Sequence, residues 1–440
     1  VNKQRYKTIF ELSLPIVGGM ASQNVMNLVD TALVGSLGPN ALAAVGMGSV
    51  ATFMAQAFIM GLSAGVQAMA ARRFGEGAED RMAEPLNGGL LLALAVGVPT
   101  SVVLWLLTPS FYPYLNADPA VIEQGVPYLR ARLCGVAAVG MNFSFRGYFN
   151  GVNLPKLYLR SLLSMHSINI VLCIGLIYGR FGLPRLGSLG AGVATTIATW
   201  CGTAIYMALA LRHARTAGFL RALPDGATLG AMWQLSMPSG VRQLFFSAGF
   251  TALFWIVGRV STTALAAANV MINLMLVAIL PAMGLGMAAA SLVGQALGRE
   301  DRADAMRWGW DVTRVALLVL GALGLPMLLA PDALLSVFTS DPRCIDEGRW
   351  PLRLVGATIA VDGIGLVLQN AMLGAGDSRR VMVVAIVLQW ALFLPAAYLV
   401  GPLLGFGLVG IWIAQIGHRG LQAAAFALLW RGGKWADVKL

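Results

Sequence analysis

A succession of long apolar runs constrains this chain more than any other feature. The runs cover residues 10–36, 41–71, 86–107, 121–148, 158–179, 190–213, 229–258, 263–295, 309–330, 346–372, 380–402 and 406–430. Each is near or above the roughly 20 residues that a helix needs to cross the hydrocarbon of a bilayer. Only 12% of the 440 residues are charged, against about 25% in a soluble domain, so lipid must solvate much of the surface. The runs are continuous rather than alternating, which excludes a closed β-barrel and leaves helices as the way to satisfy the backbone in lipid. The expected fold class is an all-α polytopic membrane protein with twelve transmembrane helices. The first run is too long for a signal peptide and lacks a small-residue cleavage pattern.

The net charge of +11 does not point to nucleic acid, because no basic helix or arm stands clear of the apolar runs. Lys and Arg cluster instead in alternate connections. Lys3, Arg5 and Lys7, then Arg72, Arg73 and Arg81, then Lys156 and Arg160 belong to the rich set, as do Arg299, Arg302 and Arg307. The other set is poorer, so both termini are expected in the cytoplasm. Cys134, Cys173, Cys201 and Cys344 are scattered without a Cys-x-x-Cys spacing, which speaks against a zinc site or a disulfide framework.

The chain is also a duplication. Leu12-Ser13-Leu14-Pro15 matches Leu235-Ser236-Met237-Pro238 at an offset of 223 residues. Without gaps, the same offset pairs Ala41-Leu42-Ala43-Ala44 with Ala264-Leu265-Ala266-Ala267, Met60-Gly61-Leu62 with Met283-Gly284-Leu285, and Gly151 with Gly374. The expected organisation is an N-terminal six-helix lobe over 1–213, a cytoplasmic inter-lobe linker over 214–228 and a C-terminal six-helix lobe over 229–440. An even number of helices per lobe gives both the same orientation, the parallel-repeat plan of secondary transporters. Gly61-x-x-x-Gly65 and Gly294-x-x-x-Gly298 provide small faces for close helix contact.

Candidate functional residues are the polar groups inside the runs. Asp30 is the foremost, since an ionisable residue within a span is by default a functional-site hypothesis. Desolvation disfavours its charged form, which suits a group that takes up and releases a proton; the alternative is an acid permanently hydrogen-bonded between helices. Asn27 and Gln23 precede it on the same helical face, His166 and Asn169 share a face of the fifth run, and Thr195 lies in the sixth. In the second half Arg242 and Asp362 are both charges in spans, and they are expected to neutralise one another as an ion pair. Asn273 adds a polar position there. No Walker A, Gly-x-Ser-x-Gly or His-Glu-x-x-His pattern is present, so no enzyme is expected, and transport would be driven by an ion gradient rather than a nucleotide.

The run from Leu14-Pro15 through Leu28-Val29-Asp30-Thr31-Ala32-Leu33-Val34-Gly35 resembles the first helix of the multidrug and toxic compound extrusion (MATE) family. So do Gly284 through Gly298 in the eighth run, and Asn370-Ala371-Met372-Leu373-Gly374-Ala375-Gly376-Asp377 after the tenth. The resemblance implies two pseudo-symmetric six-helix bundles in a V and a bacterial inner (plasma) membrane location. It implies export of amphipathic, often cationic drugs or metabolites by a monomer, in exchange for H⁺ or Na⁺ and with no other cofactor. It assigns cation or proton coupling to the acid matched by Asp30. In the DinF-like branch that acid works with an Asn and an Asp on helix five and a Thr on helix six. Asn169 and Thr195 match, whereas Cys173 replaces the second acid, which favours proton over sodium. In the NorM-like branch an Asp matched by Asp362 binds sodium with a Glu whose place here is Phe246, with Arg242 one turn earlier. The pattern therefore resembles the DinF-like branch. A lipid-linked glycan flippase, which would need several arginines lining a cavity, and an intramembrane enzyme acting on lipid are the rivals.

Overall fold

The computed structural model describes residues 3–221 and 224–438. Among them every regular element is helical: α1 (Lys3–Gly35), α2 (Pro39–Ala57), α3 (Leu62–Glu76), α4 (Glu84–Leu115), α5 (Pro119–Leu133), α6 (Val136–Gly151), α7 (Pro155–Tyr178) and α8 (Gly187–His213). The second half continues with α9 (Gly226–Gly258), α10 (Thr262–Gly298), α11 (Arg302–Leu329), the short α12 (Pro331–Ser336), α13 (Pro342–Gly374), α14 (Ser378–Ile386), α15 (Leu394–Tyr398) and α16 (Gly407–Arg431). Each of the twelve expected runs falls on one helix or on a bent or interrupted one. Among the described residues eight helices are long and apolar enough to cross a membrane, and a bent pair, α2 with the segment 59–76, makes a ninth.

Helix starts follow local chemistry. Asp118, Asp301 and Asp341 cap α5, α11 and α13 through their carboxylates, each satisfying an amide that has no partner within its helix. Asp225, just ahead of α9, accepts from the Thr228 N–H at 2.8 Å. The Thr228 hydroxyl and N–H hold the Asp225 carboxyl below the usual carboxylate range.

The 223-residue register carries through to three dimensions. It lays α1 onto α9, both 33 residues long and both with an internal proline, Pro15 and Pro238. The halves then diverge. The second helix of the first half breaks at a 49° bend, whereas α10 runs unbroken over 37 residues. The fourth breaks at Cys134–Gly135 between α5 and α6, whereas α13 is continuous. In the second half the irregular member is the eleventh span, where π-helical stretches over 387–393 and 399–403 flank α15.

Packing divides the chain into two compact units. One comprises residues up to Val17 with Val241 onward, and the other Gly18–Gly240. The boundaries thus lie inside α1 and α9, while the expected linker 214–228 belongs with the second of these units. Its first part is built into that unit: Ala83 N–H donates to Ala217 O at 2.8 Å, and the buried Asn87 donates to Gly218 O and accepts from Leu220 N–H, both at 3.0 Å. Phe219 is fully buried and meets Phe145 edge-on.

In the unit holding 241–440, the start of α1 is tied down by charge. Arg5 reaches Asp304 at 2.6 Å and Asp311 at 2.7 Å, and its guanidinium lies 3.6 Å from the centre of the Trp308 ring. Ile9 and Leu12 join a core with Leu285, Val312, Phe426 and Trp430. A Cβ on Gly284 would meet the Val17 side chain. In the unit 18–240 the register-related pairing recurs. Gly61 lies against the Gly240 and Ser236 backbone and Gly65 against the Ser236 hydroxyl, so the Gly61-x-x-x-Gly65 face does hold a close helix contact.

Candidate functional site

The unit 18–240 gathers most of the polar residues singled out from sequence at one helix contact. On α1, Gln23, Asn27 and Asp30 recur at helical spacing, and on α7, His166, Asn169 and Cys173 do the same. The two stripes meet. Asn169 Nδ2 donates to Asp30 Oδ1 at 3.1 Å and to Oδ2 at 3.4 Å, and Cys173 Sγ lies 3.7 Å from both Asp30 Oδ1 and Asn169 Oδ1. Thr195 on α8 donates its hydroxyl to Ala191 O at 2.9 Å in its own helix, and Ala191 and Ala194 of α8 share a core with Cys173. Asn169 and Cys173 are buried, and Asp30 is half-buried.

A second cluster lies one turn back along α7 and two turns back along α1. His166 is buried and bridges α7 to α1, with Nδ1 2.7 Å from Ser22 Oγ and Nε2 3.2 Å from Gln23 Oε1. Gln23 in turn donates to Asn27 Oδ1 at 3.2 Å. Neither Gln23 nor Asn27 bonds the Asp30 carboxyl; they reach it only as neighbours along α1. A carboxylate can accept about four hydrogen bonds. Asp30 receives one amide and one weak thiol donor, which leaves acceptor capacity for a proton or a cation.

Two contributors to this site were not among the residues singled out from sequence. Ser22 carries no signal that separates it from other span serines. Arg132, on α5, does: its charge reaches both Asp30 and Cys173, and it stands inside the run 121–148 just as Asp30 stands inside its own.

Among the described residues the unit holding 241–440 contains no comparable junction, and the expected Arg242–Asp362 ion pair is not formed. Among the described residues Arg242 makes no ion pair, and its buried Nε has no hydrogen-bond partner. Asp362 is 7% exposed, and the cation whose field reaches it is Arg419 on α16. Both Arg242 and Asp362 read as lone span charges, but helix packing rather than chain position decides which charges meet. Arg419 contacts Gln422 at 3.3 Å, and Gln422 donates to Gln369 at 3.1 Å. Asn273 bonds Asn269 one turn earlier and is exposed.

A duplicated helical array with an acid and its amide partner inside one unit defines a multi-pass membrane protein built on a repeated six-helix plan. The MatE family model matches residues 15–174 and 238–399, two segments whose starts are separated by the repeat offset, and the chain belongs to this MATE family. A relative from Burkholderia pseudomallei (strain K96243), described as a probable multidrug resistance protein NorM, is 31% identical over 96% of this chain and 91% of its own. One from Thermotoga maritima with the same description is 25% identical over 98% and 93%. Among solved structures, an outward-facing multidrug resistance MATE family transporter of the MOP superfamily superposes with a TM-score of 0.89 at 22% identity, covering 99% of this chain and 97% of the other. A MATE protein in complex with MaL6 gives 0.88 at 22% identity, covering 97% and 96%. At that identity the likeness establishes the fold.

Proposed function

We propose that this protein is a proton-coupled antiporter that exports amphipathic, often cationic, organic compounds across a bacterial inner membrane, with both termini cytoplasmic. The observation that carries the reading is the under-satisfied Asp30 carboxyl, held by Asn169 and Cys173 inside one unit. Deprotonated, it offers a negative charge to a cationic cargo; protonated from outside, it releases that cargo. Relatives described as multidrug resistance proteins support the cargo class. Cys173 beside Asp30 supports proton over sodium, because Na⁺ is a hard cation that prefers several oxygen ligands and a thiol supplies none. The Asp30–Asn169 contact with Thr195 nearby also supports the DinF-like rather than the NorM-like arrangement, although the relatives above carry the NorM name.

The test is exchange in reconstituted vesicles. An imposed pH gradient is expected to drive tetraphenylphosphonium against its own gradient with no dependence on sodium, and Asp30→Asn is expected to abolish this while the protein still inserts. Undiminished pH-driven movement in Asp30→Asn would refute the proposal.

A further inference from the structure

Within the unit 18–240, α1 carries an exposed polar stripe. Gln23, Asn27 and Thr31 recur every four residues and are exposed, with Asp30 half-buried beside them. Polar groups in a span face protein or water rather than acyl chains, so this stripe borders an aqueous space. Its hydrogen bonds form a chain with a direction. Ser22 Oγ lies 2.7 Å from His166 Nδ1, and His166 Nε2 lies 3.2 Å from Gln23 Oε1. An amide oxygen only accepts, so Nε2 carries the ring proton and donates to Gln23; in the neutral ring Nδ1 is then the acceptor and Ser22 the donor. Gln23 Nε2 in turn donates to Asn27 Oδ1 at 3.2 Å. The oxygen of Asn27 is thereby engaged, and the half of its amide left to the open side is the NH₂ group. The Asp30 carboxylate one turn further on favours the same orientation, because it repels an amide oxygen and attracts an amide N–H.

We propose that His166 is a positioning residue which, through Gln23, sets Asn27 as a hydrogen-bond donor to cargo, so that the site prefers organic cations carrying an acceptor oxygen close to the charge. The inference rests on the reading of Asp30 as the group that meets the cation. Side chains three apart on a helix lie about 5–6 Å from each other, so Asp30 takes the cationic centre while Asn27 reaches an ether, carbonyl or hydroxyl oxygen a few bonds away. His166 is buried and touches no cargo. Its part is to keep Gln23 from turning its NH₂ toward α7, and so to keep Asn27 from turning its oxygen outward. The ring holds one proton and both its nitrogens are engaged, which gives the chain a single polarity. A cation of plain hydrocarbon leaves the Asn27 donor unpaired, and a site built to hydrogen-bond its ligand discriminates against the analogue that lacks the group.

The experiment measures displacement of radiolabelled tetraphenylphosphonium from the purified protein by two probes of nearly equal size. These are butyltriphenylphosphonium and 2-methoxyethyltriphenylphosphonium, which differ by an ether oxygen in place of a methylene. The readout is the ratio of their affinities, in which changes common to both cancel. Relative to wild type, the advantage of the ether is expected to fall about two- to tenfold in Asn27→Leu and in His166→Leu, the range of one net hydrogen bond, while the butyl probe still binds. His166→Gln is expected to keep the wild-type ratio, because a glutamine also accepts through oxygen and donates through nitrogen. An unchanged ratio in Asn27→Leu, or equal weakening of both probes, would overturn the proposal; an unchanged ratio in His166→Leu alone would overturn the role of His166. Should His166→Leu not fold, Gln23→Leu breaks the same chain at its exposed link and takes its place. Asp30→Asn is read separately, as pH-driven exchange of the butyl probe in vesicles. Undiminished exchange there would sink the coupling role of Asp30, while the affinity ratio still decides on Asn27.

Discussion

Asn169 spans both oxygens of Asp30 from a single amide, at 3.1 and 3.4 Å. A donor so placed favours the charged carboxylate over the neutral acid. Asn169→Leu removes that donor and should therefore change the external-pH profile of exchange relative to wild type. Asn169→Asp should behave differently, because two adjacent carboxylates resist joint ionisation. Exchange rates in vesicles across external pH check both.

Cys173 occupies a position from which a carboxylate would add oxygen donors beside Asp30. Under the proton-coupled reading, Cys173→Asp is expected to create a sodium response absent from wild type, because a hard monovalent cation gains ligands it can use. Cys173→Ala should leave exchange sodium-independent. Efflux with and without sodium at fixed pH is the readout.

Arg5 is held by two carboxylates and stacked on Trp308. Its removal takes the nearest cation from Asp304 and Asp311, leaving them Arg299 and Arg314 at 3.2 Å, and a charge-assisted hydrogen bond is worth roughly 1.5–3 kcal/mol. Arg5→Ala should lower thermal stability by about that amount, measured as a shift of the unfolding midpoint in detergent, with little effect on the pH profile of exchange.

The register-related glycines make an asymmetric pair. A Cβ on Gly61 would strike the Gly240 and Ser236 backbone within 2.7 Å, whereas one on Gly284 would strike the Val17 side chain and meet backbone only at 3.3 Å. Overpacking costs about 1–3 kcal/mol where neighbours cannot yield. Gly61→Ala should thus destabilise clearly more than Gly284→Ala, and comparing the two melting midpoints tests the difference.

Much of this fold was legible because hydropathy and duplication are one-dimensional signals. The offset read from Leu12-Ser13-Leu14-Pro15 carries α1 onto α9 in the folded chain. The polar company of Asp30 with Asn169 was likewise suggested by residue type and helical face, whereas Cys173 entered only through the family resemblance. The fate of Arg242 was not, because nothing in the spacing says that α16 brings Arg419 toward Asp362 instead. Nor did composition reveal that residues 214–221 fold into their unit: Asn87 lies far off in sequence, and only its bonds to Gly218 and Leu220 disclose the link. Arg132 could have been found by weighing basic span residues as strictly as acidic ones.

The unit boundaries inside α1 and α9 carry a consequence for how such a chain can be made. A gene cut between its two repeats would yield polypeptides that each lend half a helix away and miss the half they should receive. Neither fragment would be self-sufficient, and co-synthesis would be required for either to complete its wall.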